Sequence, residues 1–222
     1  GSLTSTSLLG DAGSDTLLIA AAMSSGFISE AAGNDSIYFS ALVTNTTIVS
    51  GGGDDTVSLS GAADNLILSA FSNSRVFAGS GSDTLRFIGT ASGGSIDAGA
   101  DNDSLYFASL VNTVSVAGGS GADSIWLSSS STASSIDGGA DADLIYLQSN
   151  SSIDSLFGGA GADSLNVQGD VTRSSVDGGD DSDTLVFAGT LVTTSVFGGS
   201  GSDLLSFAGT VNSNSTLAGG EG

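Results

Sequence analysis

Ten aspartates stand at a fixed place in ten near-copies of one short motif, and carboxylates spaced in this way bind cations rather than perform acid-base chemistry. The copies are clearest at GGSGADSIW from Gly118, GGADADLIY from Gly138, GGAGADSLN from Gly158, GGDDSDTLV from Gly178 and GGSGSDLLS from Gly198. The last aspartate of each copy gives a marker series: Asp15, Asp35, Asp55, Asp83, Asp103, Asp123, Asp143, Asp163, Asp183 and Asp203. The step is 20 residues throughout except for one step of 28 between Asp55 and Asp83. A fixed period of this length is the mark of a stacked repeat architecture.

Composition narrows the chemistry further. The 222 residues include 34 glycines and no proline, cysteine or histidine, and 24 acidic side chains face three basic ones, Arg75, Arg86 and Arg173. A net charge of −21 excludes nucleic acid and anionic membrane faces as partners and favours cations. Catalysis has no histidine, cysteine or lysine to draw on. Pairs such as Asp141 with Asp143 recur every second repeat, which marks them as architecture, so the chain is read as no enzyme. The 39% hydrophobic content is too high and too regular for a disordered chain. No apolar run reaches the ~18 residues of a membrane span, so membrane insertion is not expected.

The elements that must position the aspartates are short strands. After each marker the chain alternates, as in Asp103-Ser104-Leu105-Tyr106-Phe107, with Leu105 and Phe107 on one face and Ser104 and Tyr106 on the other. A second apolar point falls seven residues before the marker, at Val76, Ile96, Val116, Ile136, Leu156, Val176 and Val196. A third, at Val43, Val111, Val171, Leu191 and Val211, fills the interior near the turn opposite the glycines. Two strands and two turns make one coil, and stacked coils pair each strand with its counterpart one period away. The expected fold is all-β: a right-handed parallel β-solenoid of about 11 coils, each rising ~4.8 Å. Residues 1–222 form a single continuous solenoid in this reading. Thr6, Thr46, Ser74, Ser134, Ser174 and Thr194 share the inward parity and predict a ladder of small hydroxyls, best explained by a narrow interior.

The irregular step holds three strand-like pieces, TVSL, NLIL and RVFA, where a normal step has two, with a degenerate turn SGAAD ending at Asp64. An odd number of half-coils moves the aspartate column to the opposite edge of the rod. The rival is an eight-residue loop bulging from an ordinary coil; the strand character of NLIL favours the switch.

Glycines that allow positive φ let the turn aim peptide carbonyls inward beside the aspartate. Stacking then lines each gap between coils with oxygen from two neighbours, which suits Ca2+ better than Mg2+ or Zn2+. Two carboxylates ~4.8 Å apart at an effective dielectric of ~20 repel by roughly 3.5 kcal/mol. A column of roughly eight such contacts exceeds the ~5 to 15 kcal/mol of a typical fold, so counter-ions are required.

The motif G-G-x-G-x-D-x-apolar-x resembles the nonapeptide of the RTX, or haemolysin-type, calcium-binding β-roll repeats. The resemblance covers nearly the whole chain and implies multiple Ca2+ ions bound between coils, with the marker aspartates as ligands: Asp15, Asp35, Asp55, Asp83, Asp103, Asp123, Asp143, Asp163, Asp183 and Asp203. An ordinary β-roll repeats the nonapeptide on both halves of each coil. Here the second half, as in LSSSSTASSID, lacks it, which implies calcium along one edge, as in some bacterial surface-layer or giant-adhesin repeats. The early turns depart from the motif at Asp11-Ala12-Gly13 and Ala31-Ala32-Gly33. Asp101, Asp141 and Asp181 stand where the motif has its third glycine, and either add a ligand to every second gap or serve as tolerated surface acids. Asp97, Asp137 and Asp177 have outward parity and read as surface charge.

Tyr106, Trp126 and Tyr146 occupy one outward position in consecutive coils, with Tyr38 further along. They form either a stabilising aromatic stripe or an interface for sugar or a second rod. The resulting expectation is an extracellular or cell-surface bacterial structural protein, a surface-layer, adhesin-stalk or filament segment that folds on binding calcium. The last copy, from Ala218, stops within its turn, which fits a fragment of a longer repeat protein or a unit that stacks end to end or laterally on itself. The alternative is a ligand-binding solenoid for cell-surface polysaccharide, or, less favoured, ice. The turn positions that would carry a threonine rank against ice hold Ser120, Ala122, Ala140, Ala142, Ala160, Ala162, Ser200 and Ser202.

Overall fold

The structure, a computed structural model, describes residues 2–220 apart from 32, 34, 42, 45, 50–55, 60–62, 65 and 74. At 43–44, 49, 58–59, 63–64, 66–67 and 69–71 it describes the backbone alone. The described elements are all strands, paired in parallel, and no helix is long and apolar enough to cross a membrane.

The alternating patterns fold as strands because each can bury one face. One broad sheet stacks eleven strands, from Thr16–Ile19 through Ser115–Ser120 to Thr216–Ala218. Facing it, a second sheet runs from Ser7–Leu9 through Ser124–Leu127 to Leu204–Phe207. Register is set by inward parity: Val76 pairs with Ile96, Ile96 with Val116 and Val116 with Ile136, each one coil apart. Between the sheets, the seven inward residues of this series are buried throughout, together with Leu105, Ile125, Ile145, Leu165 and Leu185. Phe87 and Phe107 stack in the interior at 4.7 Å between ring centroids, as do Phe187 and Phe207 at 5.4 Å.

Each coil has a third strand that the two-strand coil expected from the sequence lacks. The third apolar point sits in a two-residue corner strand, such as Val111–Asn112 or Val171–Thr172, paired with its counterparts above and below. A residue of positive φ follows in most of these corners, for example Thr113, Ala133, Ile153 and Arg173, and turns the chain back toward the broad sheet. The full turns number about nine, slightly fewer than the eleven coils counted from the repeats. The two ends supply only part of a turn each, and the irregular step spends its extra residues on a rearrangement.

That rearrangement is the edge switch. In the N-terminal coils the strand after the marker, Thr16–Ile19 or Ser36–Phe39, lies in the broad sheet, and the strand before the marker lies in the second sheet. In the later coils the roles reverse: Ser95–Ala100, before the marker, is in the broad sheet and Ser104–Phe107, after it, is in the second. The crossing coil runs from Thr56, which pairs with Arg75 nineteen residues on. It passes through the corner strand Ala63–Asp64, then through Leu66–Ser72, which pairs with the second sheet and then with the corner strand Ala91–Ser92. Ala63–Asp64, the end of SGAAD, therefore lies in a corner, and the strand Leu66–Ser72 takes the place of the eight-residue loop. A register irregularity between Leu68 and Ala70 absorbs the mismatch.

The hydroxyl ladder forms as expected where it is described: Thr46, Ser134, Ser174 and Thr194 are buried, while Thr6 is half-buried and Ser74 lies outside the described residues. Several backbone N–H groups in this rank donate to a side chain one coil on, as Val114 does to Ser134 Oγ at 3.2 Å and Thr194 to Ser215 Oγ at 3.1 Å.

Phe107 makes the test of this interior. Phe107→Ala removes a fully buried ring from the stack on Phe87 and is expected to cost about 3 to 5 kcal/mol, read as a lowered denaturant midpoint in saturating calcium. A midpoint equal to wild type would refute the inward placement of this column.

Candidate metal centre

The glycine turn places each marker aspartate between the broad sheet and the second sheet. In the coil of Asp123, Gly119 and Gly121 have φ of 118° and 113°. A Cβ on Gly119 would also collide with the carbonyl oxygen of Gly99 in the coil below, so glycine is required on both counts. This tight stacking brings successive aspartates into a column.

One carboxylate oxygen of each aspartate is used within the protein. Asp83 N–H donates to Asp103 Oδ1 at 2.7 Å, Asp103 to Asp123 at 2.7 Å and Asp123 to Asp143 at 2.7 Å. The series continues from Asp143 to Asp163 and from Asp163 to Asp183 at 2.8 Å, and from Asp183 to Asp203 at 3.0 Å. Asp15 and Asp35 make the same bond at 2.8 Å on the other edge. The bonds fix every carboxylate in one rotational setting.

The second oxygen is then buried. Among the described residues, Oδ2 of Asp15, Asp103, Asp123, Asp143, Asp163, Asp183 and Asp203 has no hydrogen-bond partner. A buried carboxylate oxygen without a partner is costly, and native structures leave few of them. A Cβ placed on Gly118 would meet both Asp123 Oδ2 and the carbonyl oxygen of Gly138, and the same pair of oxygens recurs over Gly138, Gly158, Gly178 and Gly198. Each gap between these coils thus holds a carboxylate oxygen and a peptide oxygen around the space that the missing glycine side chain leaves open. An oxygen-only set of this kind fits calcium. Among the described residues no three acidic side chains converge on one point, so an ion here draws on backbone carbonyls as much as on carboxylates.

Electrostatics agree with that fit. Burial, as the largest cause, pushes the carboxyls of Asp103 and Asp163 up to about 6 and that of Asp143 up to about 7, with neighbouring aspartates adding to the rise and the backbone hydrogen bonds opposing it. Asp123 and Asp183 are raised for the same leading reason. The protein alone disfavours the charged column, and an added cation reverses that preference.

The remaining predicted ligands fall into three groups. Asp83 is buried in the column of Asp103, Asp35 is buried and Asp15 half-buried on the other edge, and Asp55 lies outside the described residues. Asp101, Asp141 and Asp181 adopt the positive φ of the glycine they replace, at 77°, 76° and 72°, and their side chains are exposed. Asp101 Oδ2 accepts the N–H of Gly81 at 3.0 Å, capping the turn of the coil below. Their carboxylates are thus not brought into the buried column. Asp97 and Asp137 are exposed and Asp177 is half-buried on the outer face of the broad sheet, where the rank alternates with Phe157 and Phe197.

Two buried acids escaped sequence reasoning. Glu30 takes the place of the first motif glycine, and its carboxylate occupies the space over Gly10 beside Asp15. Asp154 sits in the hydroxyl ladder at 2% exposure, accepting Ser134 N–H at 2.8 Å, Ser151 Oγ–H at 2.7 Å and Ser152 N–H at 3.2 Å. Its place nine residues before Asp163, in rank with Ser134 and Ser174, was the available signal.

The aromatic stripe spans three consecutive coils, flanked in the same rank by Arg86 and Asn166. Tyr106 pairs with Trp126 and Trp126 with Tyr146; the last two rings lie 4.2 Å apart, and Arg86 sits 5.2 Å from the Tyr106 ring centre. Tyr38 belongs to the other sheet because it precedes the edge switch.

The family model of the RTX calcium-binding nonapeptide repeat matches in four copies, over residues 44–74 and 146–170. A search of curated protein sequences gives no match. The crystal structure of a hyperactive, Ca2+-dependent, β-helical antifreeze protein from an Antarctic bacterium superposes on 98% of this chain and 81% of its own with a TM-score of 0.60, at 22% identity, which shows a shared fold. A TibC-catalyzed hyper-glycosylated TibA fragment aligns over 98% of this chain and 99% of its own, at 14% identity and a TM-score of 0.28, too low for a common fold. The chain thus matches the RTX calcium-binding nonapeptide repeat over residues 44–74 and 146–170 and shares the parallel β-solenoid fold of the Ca2+-dependent antifreeze protein.

Proposed function

We propose that this chain is an extracellular structural rod of a bacterial surface, a segment of a surface layer, adhesin stalk or filament, that becomes rigid when calcium enters the gaps between its coils. The observation that carries this reading is the row of buried Oδ2 atoms of Asp123, Asp143, Asp163, Asp183 and Asp203, each beside a peptide oxygen from the next coil. Bound calcium supplies positive charge to a column that otherwise repels itself. The chain's own residues do the rest. Asp103, Asp123, Asp143, Asp163, Asp183 and Asp203 hold the oxygens in place through the N–H ladder, and the glycines of each turn keep the space open.

A scaffold without catalysis is the reading that this arrangement favours, since Asp103, Asp123, Asp143, Asp154, Asp163 and Asp183 each accept backbone donors of the repeat itself. Self-association by end-to-end or lateral stacking follows from the open sheets of a solenoid. The stripe at Tyr106, Trp126 and Tyr146 favours the structural reading over polysaccharide binding, because Trp126 and Tyr146 pack against each other in a tilted contact and Arg86 lies over the Tyr106 ring. The antifreeze activity named for the structural neighbour has no counterpart rank of threonines in the glycine turns here.

Calcium titrated into metal-free protein at neutral pH is expected to drive a cooperative change from coil to β-structure in circular dichroism. A full β signal persisting in strong chelator would refute the calcium mechanism.

Acid should partly replace the metal. The folded-state values of about 6 to 7 for Asp103, Asp143 and Asp163 lie above the unfolded value of about 3.9, so these groups favour folding when protonated. Their contribution is fully present below pH ~3.9 and is lost as pH rises through ~6 to 7. In chelator, β signal should therefore grow as pH falls from about 8 to about 5. Signal that stays flat or declines over this range would count against the buried, raised carboxyls.

A further inference from the structure

We infer that the chain holds two separate calcium columns on opposite edges of the rod, and that they load as two independent steps with the C-terminal column filling first. The inference rests on the calcium reading above and deepens it.

The edges exchange roles at the crossing coil. In the N-terminal coils the chain leaves the second sheet, passes the marker turn of Asp15 or Asp35 and enters the broad sheet. The return edge there is a stack of two-residue corner strands: Leu3–Thr4, Met23–Ser24, Val43–Thr44 and Ala63–Asp64. In the later coils the marker turns of Asp83 to Asp203 occupy that return edge, and the opposite edge carries the corner strands from Phe71–Ser72 and Ala91–Ser92 to Leu191–Val192. The coil from Thr56 to Arg75 makes corner strands on both edges. Each column therefore ends against corners, which lack the glycine turn.

Coupling in a solenoid passes between nearest neighbours. A calcium in one gap helps the next because both share an aspartate and its turn, and that sharing stops where the turn changes edge. The apolar interior runs on through Val57, Val76 and Ile96, so the two parts remain one rod while their metal columns are disconnected.

The columns also differ in quality. The later one has six consecutive aspartate-to-backbone bonds, and Asp83 to Asp183 are all buried. The earlier one has interrupted glycine sets at Asp11-Ala12 and Glu30-Ala31, and Asp15 is only half-buried. A shorter, less regular column gains less from its neighbours and needs more calcium.

Hydrogen exchange read by mass spectrometry across a calcium titration of the full chain tests this, with fluorescence of Trp126 as a second reporter of the later column. Peptides from 84–217 are expected to become protected at a calcium midpoint about tenfold below that of peptides from 1–49, with Trp126 following the former. Asp143→Asn, which keeps the oxygen that accepts Asp123 N–H, should raise only the later midpoint, and Asp35→Asn only the earlier one. One shared midpoint, or a variant that moves both parts equally, would overturn the inference while leaving the calcium reading intact. Protection that ignores calcium in both parts would overturn that reading as well.

Discussion

The structure depends on stacking identical carboxylates one coil apart. Each regular coil from Asp83 to Asp203 contributes an aspartate to a column, and the same hydrogen bond that fixes one oxygen of Asp123 to the backbone of Asp103 buries the other with nothing to accept from. Parallel β-stacking makes this unavoidable, because coils at the strand spacing of ~4.8 Å set each aspartate directly over its counterpart in the next turn. The three arginines do not relieve it: Arg75 is exposed at the start of the strand Arg75–Ser80, Arg86 lies against Tyr106 on the second sheet, and Arg173 occupies a positive-φ corner. The protein has concentrated its like charges and left their neutralisation to something outside the chain. That turns an electrostatic cost into a dependence on an external cation.

Much of this was legible in the sequence because the period is strict. A residue that recurs every 20 positions must stack on itself, so the inward valines, isoleucines and leucines could be assigned from parity alone, as could the aspartate column and the hydroxyl rank. The edge switch was legible too, since NLIL supplies an extra strand and only an odd number of half-coils accommodates it. The corner strands were harder to see. Two residues are too few to show alternation, and Val111 or Val171 reads equally well as a lone interior plug.

Departures from the repeat were least legible. Asp154 and Glu30 each break a rank, and a single acid in a polar-looking segment reads as surface. The structure shows why the interior tolerates Asp154: the corner positions that elsewhere hold Val111, Val171 and Leu191 are Ser131 and Ser151, so a bulky apolar pair gives way to hydroxyls where the carboxylate enters. Three coordinated changes are invisible when each position is compared only with its own rank. The third-glycine aspartates erred in the other direction. Asp101, Asp141 and Asp181 occupy a ligand-like place in the motif, yet the positive φ of the turn carries their side chains outward and leaves only their carbonyls facing the next coil.

A chain of interchangeable coils gains length easily but has few means of changing direction or of separating one stretch from another. The crossing coil does so with little disturbance. Its interior residues Val57 and Leu68 remain buried, its strands keep parallel pairing on both sides, and among its described residues the adjustment is a nineteen-residue step with one register irregularity between Leu68 and Ala70. What changes is only which turn receives the glycines and the aspartate. Because the apolar column is indifferent to that choice and the charge column is not, one short segment can divide the metal chemistry of the rod while preserving its mechanical continuity.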